Sequence, residues 1–212
     1  MKPLADCRLY TFVDTAYLHG RMPEVVAQQL CDGGSDLIQL RAKNSSPEEI
    51  RRLAENILPI TKRANVGLVI NDFPDIAHEL GAELCHLGQE DFFDAGHKSV
   101  DEFKTGSSKL KIGLSTHAPE QAKRAVEAKA DYVAIGPVFA TGTKPTAKPV
   151  TLEYVRWAAA NVTVPWFAIG GINLTTVGDV VASGAERICV VSAILNTPDV
   201  AKACQEFRKH LV

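Results

Sequence analysis

Short apolar runs recur along the whole chain, separated by stretches whose apolar residues return every three or four positions. The runs fall at 8–13, 37–40, 67–70, 84–87, 111–114, 132–135, 166–169 and 187–191, which makes eight. They are nearly continuous rather than alternating, as parallel strands covered on both faces require. The intervening stretches read as helices. Ser46-Pro47-Glu48-Glu49 predicts a capping box with proline at the first helical position. Ile50, Leu53, Ala54 and Ile57 then form one apolar stripe at helical spacing. Residues 118–129 and 198–210 carry the same pattern. Residues 91–108, with Gly96, Gly106 and Ser107-Ser108, predict a loop with at most a short helix. A small signature repeats before the strands: Gly34-Ser35-Asp36, Gly81-Ala82-Glu83 and Gly184-Ala185-Glu186, with Lys129-Ala130-Asp131 as a variant. It predicts a left-handed helix C-cap, a small residue, then an acid.

Eight β/α units in 212 residues define an α/β protein, either a closed barrel or an open doubly wound sheet. No GxGxxG follows the first strand, and residues of chemical interest follow nearly every strand, so the expectation is one (β/α)8 TIM barrel spanning 1–212 as a single catalytic domain. Functional side chains should then gather at the strand C-termini.

Asp14 follows the first strand, as a loop acid, a helix cap or part of the site. The second ends Gln39-Leu40-Arg41-Ala42-Lys43, and the period of two puts Gln39, Arg41 and Lys43 on one side. Two cations held close call for an anion between them, and a diphosphate suits, since arginine forks onto oxygens and lysine acts as a point charge. The third strand runs into Asn71-Asp72, and Asp91 follows the fourth; two carboxylates beside those cations suggest a metal–diphosphate site, with Mg2+ as the metal. His86 and His117 read as hydrogen-bonded core or cap neighbours. Ser115 is either a phosphate donor or an N-cap. The long loop after the sixth strand carries Thr141, Thr143 and Lys144 near Gly142, as a phosphate-binding flap would. Gly170-Gly171 after the seventh strand and Val191-Ser192 after the eighth fit the backbone phosphate site that barrels build there. Two phosphorylated small molecules meeting across a barrel mouth is the minimal reading.

Composition narrows this further. Hydrophobic residues make up 46% and charged residues 23%, with a net charge of −2, so neither a nucleic-acid nor a membrane surface is expected. No apolar run reaches the roughly 18 residues of a membrane helix, and the start lacks a signal-peptide core. The five cysteines are odd in number and widely spaced, with no CxxC, which predicts buried reduced thiols in a cytoplasmic protein. No HExxH spacing suggests zinc. A homo-oligomer is left open.

The pieces Gln39-Leu40-Arg41-x-Lys43, Ile70-Asn71-Asp72, His86-Leu87-Gly88-Gln89-x-Asp91, Gly113-x-Ser115-Thr116-His117, Thr141-x-Thr143-Lys144, Ile169-Gly170-Gly171 and Val191-Ser192 resemble the thiamine-phosphate synthase family, in family order. The resemblance implies condensation of a hydroxymethylpyrimidine diphosphate with a thiazole phosphate, releasing pyrophosphate. It implies Gln39, Arg41, Lys43, Asn71, Ser115 and Lys144 around the pyrimidine diphosphate, with Arg41, Ser115 and Lys144 catalytic. It further implies Asp72 and Asp91 on Mg2+, and Thr141, Thr143, Gly171, Val191 and Ser192 around the thiazole phosphate. Glu83-Leu84-Cys85 departs from the family's usual Asp-Gly-Val, and Pro145-Thr146-Ala147-Lys148 from its commoner lysine- or acid-containing loop. The competing readings are a thiazole tautomerase-like barrel, which would not require both carboxylates with the Gln-x-Arg-x-Lys set, a Schiff-base aldolase using Lys43 or Lys144, and a non-catalytic phosphate-binding barrel.

Overall fold

The structure is a computed structural model that describes residues 1–104, 109–142 and 148–211. Its strands are β1 (Leu9–Asp14), β2 (Leu37–Arg41), β3 (Gly67–Asn71), β4 (Leu84–Leu87), β5 (Lys111–Thr116), β6 (Tyr132–Ile135), β7 (Trp166–Ile169) and β8 (Ile188–Cys189). Each pairs in parallel with the next, and β8 closes on β1 through Leu9 opposite Ile188 and Tyr10 opposite Cys189. The result is a closed (β/α)8 barrel, as the eight apolar runs predict. Helices α1 (Pro23–Asp32), α2 (Pro47–Arg63), α3 (Pro74–Leu80), α4 (Gln89–Asp94), α5 (Pro119–Glu127), α6 (Thr151–Asn161), α7 (Val177–Ala182), α8 (Ser192–Leu195) and α9 (Val200–Arg208) lie between and after them. Among the described residues no helix is long and apolar enough to cross a membrane.

Local chemistry explains the joints. Ser46 Oγ accepts from Glu49 N at 3.3 Å and Ser46 N donates to Glu49 Oε2 at 3.1 Å, the reciprocal capping box that starts α2. The signature before the strands takes the left-handed turn at all four sites, with φ of +86° at Gly34, +64° at Gly81, +98° at Gly184 and +62° at Lys129. The acid that follows has a job the sequence did not disclose. Asp36 Oδ2 accepts from the backbone N–H of Arg8 at 2.7 Å and of Leu9 at 3.0 Å, and Asp131 Oδ2 accepts from Ile112 N at 2.8 Å. Each aspartate thus satisfies orphan donors where the preceding strand begins. Burial opposes the Asp36 charge, but Lys2, those two N–H groups and Arg208 outweigh it and hold the carboxyl below its ordinary range. The longer glutamates serve cations instead: Glu83 lies 3.5 Å from the Met1 amino group and Glu186 3.2 Å from Arg187.

The lumen is filled by rings. Tyr10 on β1, Tyr132 on β6 and Phe167 on β7 are fully buried and meet edge-on, with centroids 6.2, 5.3 and 5.8 Å apart. Because β1 is laddered only to β2 and β8, its contact with β6 has to cross the lumen. Gly113 on β5 makes this packing feasible: a Cβ there would stand 2.1 Å from Tyr132 Cζ.

The five cysteines are free. Burial pushes Cys7 and Cys31 up to about 11 and Cys204 up to about 12, and raises Cys85 and Cys189 further, so these thiols stay protonated at neutral pH.

Candidate active site

One cavity of about 150 Å3 opens at the C-terminal mouth. Gln39, Arg41, Lys43, Asn71, Asp72, Asp91, Ser115, Thr141, Gly171, Val191 and Ser192 all line it, although they come from seven of the β/α units. Thr143 and Lys144 lie outside the described residues.

On β2 the period of two operates as expected, but protein groups meet the two cations. Arg41 Nη1 donates to Asp14 Oδ2 at 2.7 Å, and Asp14 faces Arg41 across the β1–β2 ladder. Asp14 is buried and its Oδ1 also accepts from Ala16 N at 3.0 Å, capping the 3-10 turn Thr15–Tyr17. It is therefore both cap and arginine partner, and it holds the guanidinium in one pose beside the cavity. Lys43 Nζ stands 3.9 Å from Asp72 Oδ2, a loose pair at a half-exposed site.

Asp72 sits just past β3 with φ +67°, a left-handed conformation that aspartate and asparagine tolerate better than most residues. Its N–H donates to His86 O at 2.9 Å, and Asn71 Nδ2 donates to its Oδ2 at 2.6 Å. Burial raises the Asp72 carboxyl above its ordinary range; Lys43 opposes this, and the neighbouring Asp91 charge reinforces it. Asp91 lies in the first turn of α4, where a carboxylate suits the positive end of the helix dipole. The helix was expected only as a short element; it begins at Gln89 and ends at Asp94. The two acids thus face one space and repel across it.

Ser115 Oγ accepts from Gln89 N at 3.3 Å. It caps the start of α4 rather than its own helix, whose N-cap is Ala118. Its hydroxyl proton meets no acceptor among the described residues. His117, expected as a cap neighbour, bonds Gly136 O through Nδ1 and also lines the cavity. His86 pairs through Nδ1 with the Tyr132 hydroxyl at 3.2 Å and lines it too. Gly170 and Gly171 take φ of +104° and +64°, and a Cβ would meet Pro137 Cβ at 2.4 Å from the first and Ala140 O at 2.5 Å from the second. Glycine alone lets this turn pass under the loop after β6. Ser192 opens α8 behind Val191, and no side chain caps that first turn.

Two carboxylates, and among the described residues no cluster of three or more potential ligands, fit Mg2+ in one way. This ion keeps several waters and takes one or two carboxylates together with substrate phosphate oxygens. Asp72 and Asp91 match that donor set. Gly88 matters here, because a Cβ at it would stand 2.6 Å from Asp91 Oδ2. Its φ of −64° suits alanine, so the carboxylate rather than the backbone has to move. Gly88→Ala is expected to keep the melting temperature nearly unchanged and weaken Mg2+ binding with pyrophosphate about tenfold in calorimetry. Unaltered binding would mean that Asp91 is not a ligand.

The fold and site define a (β/α)8 barrel with one charge-lined site at the carboxyl ends of its strands. A family model for thiamine monophosphate synthase matches residues 9–194. Thiamine-phosphate synthase of Thermus thermophilus is 44% identical over 180 residues, covering 84% of each chain. That of Lawsonia intracellularis is 37% identical over 209 residues, covering 98% of this chain and 94% of the relative. The solved thiamine phosphate pyrophosphorylase from Pyrococcus furiosus superposes with a TM-score of 0.86 at 29% identity, covering 99% of this chain and 97% of that one. The chain belongs to the thiamine monophosphate synthase family.

Proposed function

We propose that this chain condenses 4-amino-2-methyl-5-(diphosphomethyl)pyrimidine with a thiazole phosphate to give thiamine phosphate and pyrophosphate. The observation that carries this reading is the convergence of Arg41, Lys43, Asp72 and Asp91 on one cavity wall of a chain in this family.

The bond between the pyrimidine methylene carbon and the diphosphate oxygen breaks, and its electron pair leaves with pyrophosphate. The thiazole nitrogen lone pair then forms the new C–N bond. That nitrogen carries no proton, so the reaction asks for no general base, in keeping with a site built from charges and hydrogen-bond donors. Mg2+, held by Asp72 and Asp91, would neutralise charge on the diphosphate when bound. Arg41 and Lys43 would stabilise charge that grows on the leaving group, an interaction stronger in the transition state than in the ground state. Ser115 has a proton to donate to a diphosphate oxygen, and Lys144 is assigned to the same group. Gln39 and Asn71 hold the pyrimidine diphosphate. Thr141, Thr143, Gly171, Val191 and Ser192 hold the thiazole phosphate, with the glycine turn and the start of α8 supplying backbone donors.

Purified protein with both substrates and Mg2+ should form thiamine phosphate in a coupled assay; absence of product would overturn the reading. Arg41→Ala is expected to weaken binding of the pyrimidine diphosphate at least about tenfold while changing thiazole phosphate affinity little. Equal losses in titration of the two ligands would mean that the two sites are misassigned.

A further inference from the structure

From Gln39, at the cavity, a buried polar chain runs on through Tyr10, Tyr132 and His86, three residues to which the proposed reaction gives no role. Gln39 is buried, and its Nε2 donates to the Tyr10 hydroxyl at 2.5 Å. The Tyr10 and Tyr132 hydroxyls are 3.2 Å apart, and Tyr132 Oη is 3.2 Å from His86 Nδ1. Burial raises both phenols well above their ordinary range, so each keeps one proton to give. With Gln39 as donor, the direction of the whole chain follows: the Tyr10 proton goes to Tyr132 Oη and the Tyr132 proton to His86 Nδ1. Reversing it would require the carboxamide to turn over, with Oε1 accepting from Tyr10. Packing holds the rings that carry this chain. Tyr10 stacks on Phe12 with centroids 5.6 Å apart, and Tyr132 lies over Gly113. Gln39 lines the cavity, and among the described residues no hydrogen bond reaches its Oε1.

We infer that Tyr10 and Tyr132 are specificity-determining positioning residues: with His86 Nδ1 accepting the Tyr132 proton, Tyr132 accepts from Tyr10 and Tyr10 accepts from the Gln39 amide, which turns the carboxamide oxygen toward the cavity, so that the site selects a heterocycle offering an amino donor over one presenting an oxygen. The inference rests on the proposed reaction only for the choice of a pyrimidine. A buried acceptor left facing another acceptor is strongly disfavoured, and this is how a polar site discriminates between ligands of equal size.

The test measures the preference for 4-amino-2-methyl-5-(diphosphomethyl)pyrimidine over its 4-oxo analogue, as kcat/KM at fixed thiazole phosphate and Mg2+ and as binding in titration calorimetry. The wild type should prefer the amino compound by about a hundredfold or more. Tyr10→Phe, which keeps the ring and removes the acceptor of Gln39, should cut that ratio at least about tenfold, chiefly through KM, with the KM for thiazole phosphate unchanged. Tyr132→Phe leaves the Tyr10 proton free to turn the amide and should shift the ratio the same way; it decides the matter if Tyr10→Phe does not fold. A ratio equal to the wild type's in the folded variants overturns the inference, as does an equal rise in KM for both substrates. A wild type that binds the amino diphosphate without turnover would sink the proposed reaction, while the binding ratio would still decide this inference.

Discussion

Asp72→Asn is expected to make the ligand-free protein melt at a higher temperature at neutral pH and, in the same variant, to abolish Mg2+-dependent thiamine phosphate formation. The Asp72 carboxyl is raised above its ordinary range, first by burial and further by Asp91, against the pull of Lys43. A group raised in the folded state favours folding when protonated and loses that contribution as pH climbs through its folded value. At neutral pH the carboxylate is therefore a liability that asparagine removes. Well below the ordinary carboxylate range Asp72 is protonated in both states, and the gain should vanish. Asparagine is the informative replacement because the backbone stands at φ +67°, which asparagine tolerates and alanine does not. On the activity side, removing one preorganised electrostatic group costs roughly a hundred- to a thousandfold in turnover. Asp91→Ala should lose activity on the same scale with the fold intact. Thermal melts at neutral and acid pH, with and without Mg2+ and pyrophosphate, check the whole claim: the ligands should stabilise the wild type and not the variants. Near-normal turnover in either variant would count heavily against the metal assignment, and a lower melting temperature for Asp72→Asn would refute the electrostatic account.

The second large effect concerns Asp14. Asp14→Ala removes the partner of a guanidinium whose side chain is only 13% exposed, and breaking a buried pair from one side costs about 3 kcal/mol or more. It also deletes the cap on the turn Thr15–Tyr17, worth about 1 kcal/mol. Asp14→Asn separates the two, since its carboxamide oxygen still accepts from Ala16 N. Both variants should raise the KM for the pyrimidine diphosphate at least about tenfold and leave that for thiazole phosphate unchanged. Denaturant melts of Asp14→Ala, Arg41→Ala and the double variant give the coupling directly. Additive losses would mean that the pair does not hold the arginine.

The barrel was legible because its strands are apolar on both faces and its helices carry caps and stripes that local chemistry explains. The edges were less so. β2, β3 and β5 run on into Arg41, Asn71 and Thr116, because ladder hydrogen bonds are indifferent to side-chain polarity. β8 stops at Cys189 where 187–191 was expected, since Val191 turns into α8 although its side chain is apolar. α4 carries too few turns for periodicity to show. The rim residues were legible as types at strand ends, whereas their partners were not. Arg41 and Lys43 called for an anion, and a substrate was the natural answer; the protein itself supplies Asp14 to one and Asp72 to the other. Tyr10 and Tyr132 lie inside apolar runs, and nothing in a linear sequence says that two tyrosines 122 positions apart share a hydrogen bond.

The aromatic plug formed by Tyr10, Tyr132 and Phe167, seated against Gly113, shuts the barrel from below. Traffic therefore runs through one doorway. The ring layer sets how deep any ligand can sink, and the loops at the carboxyl ends of the strands are what it must pass.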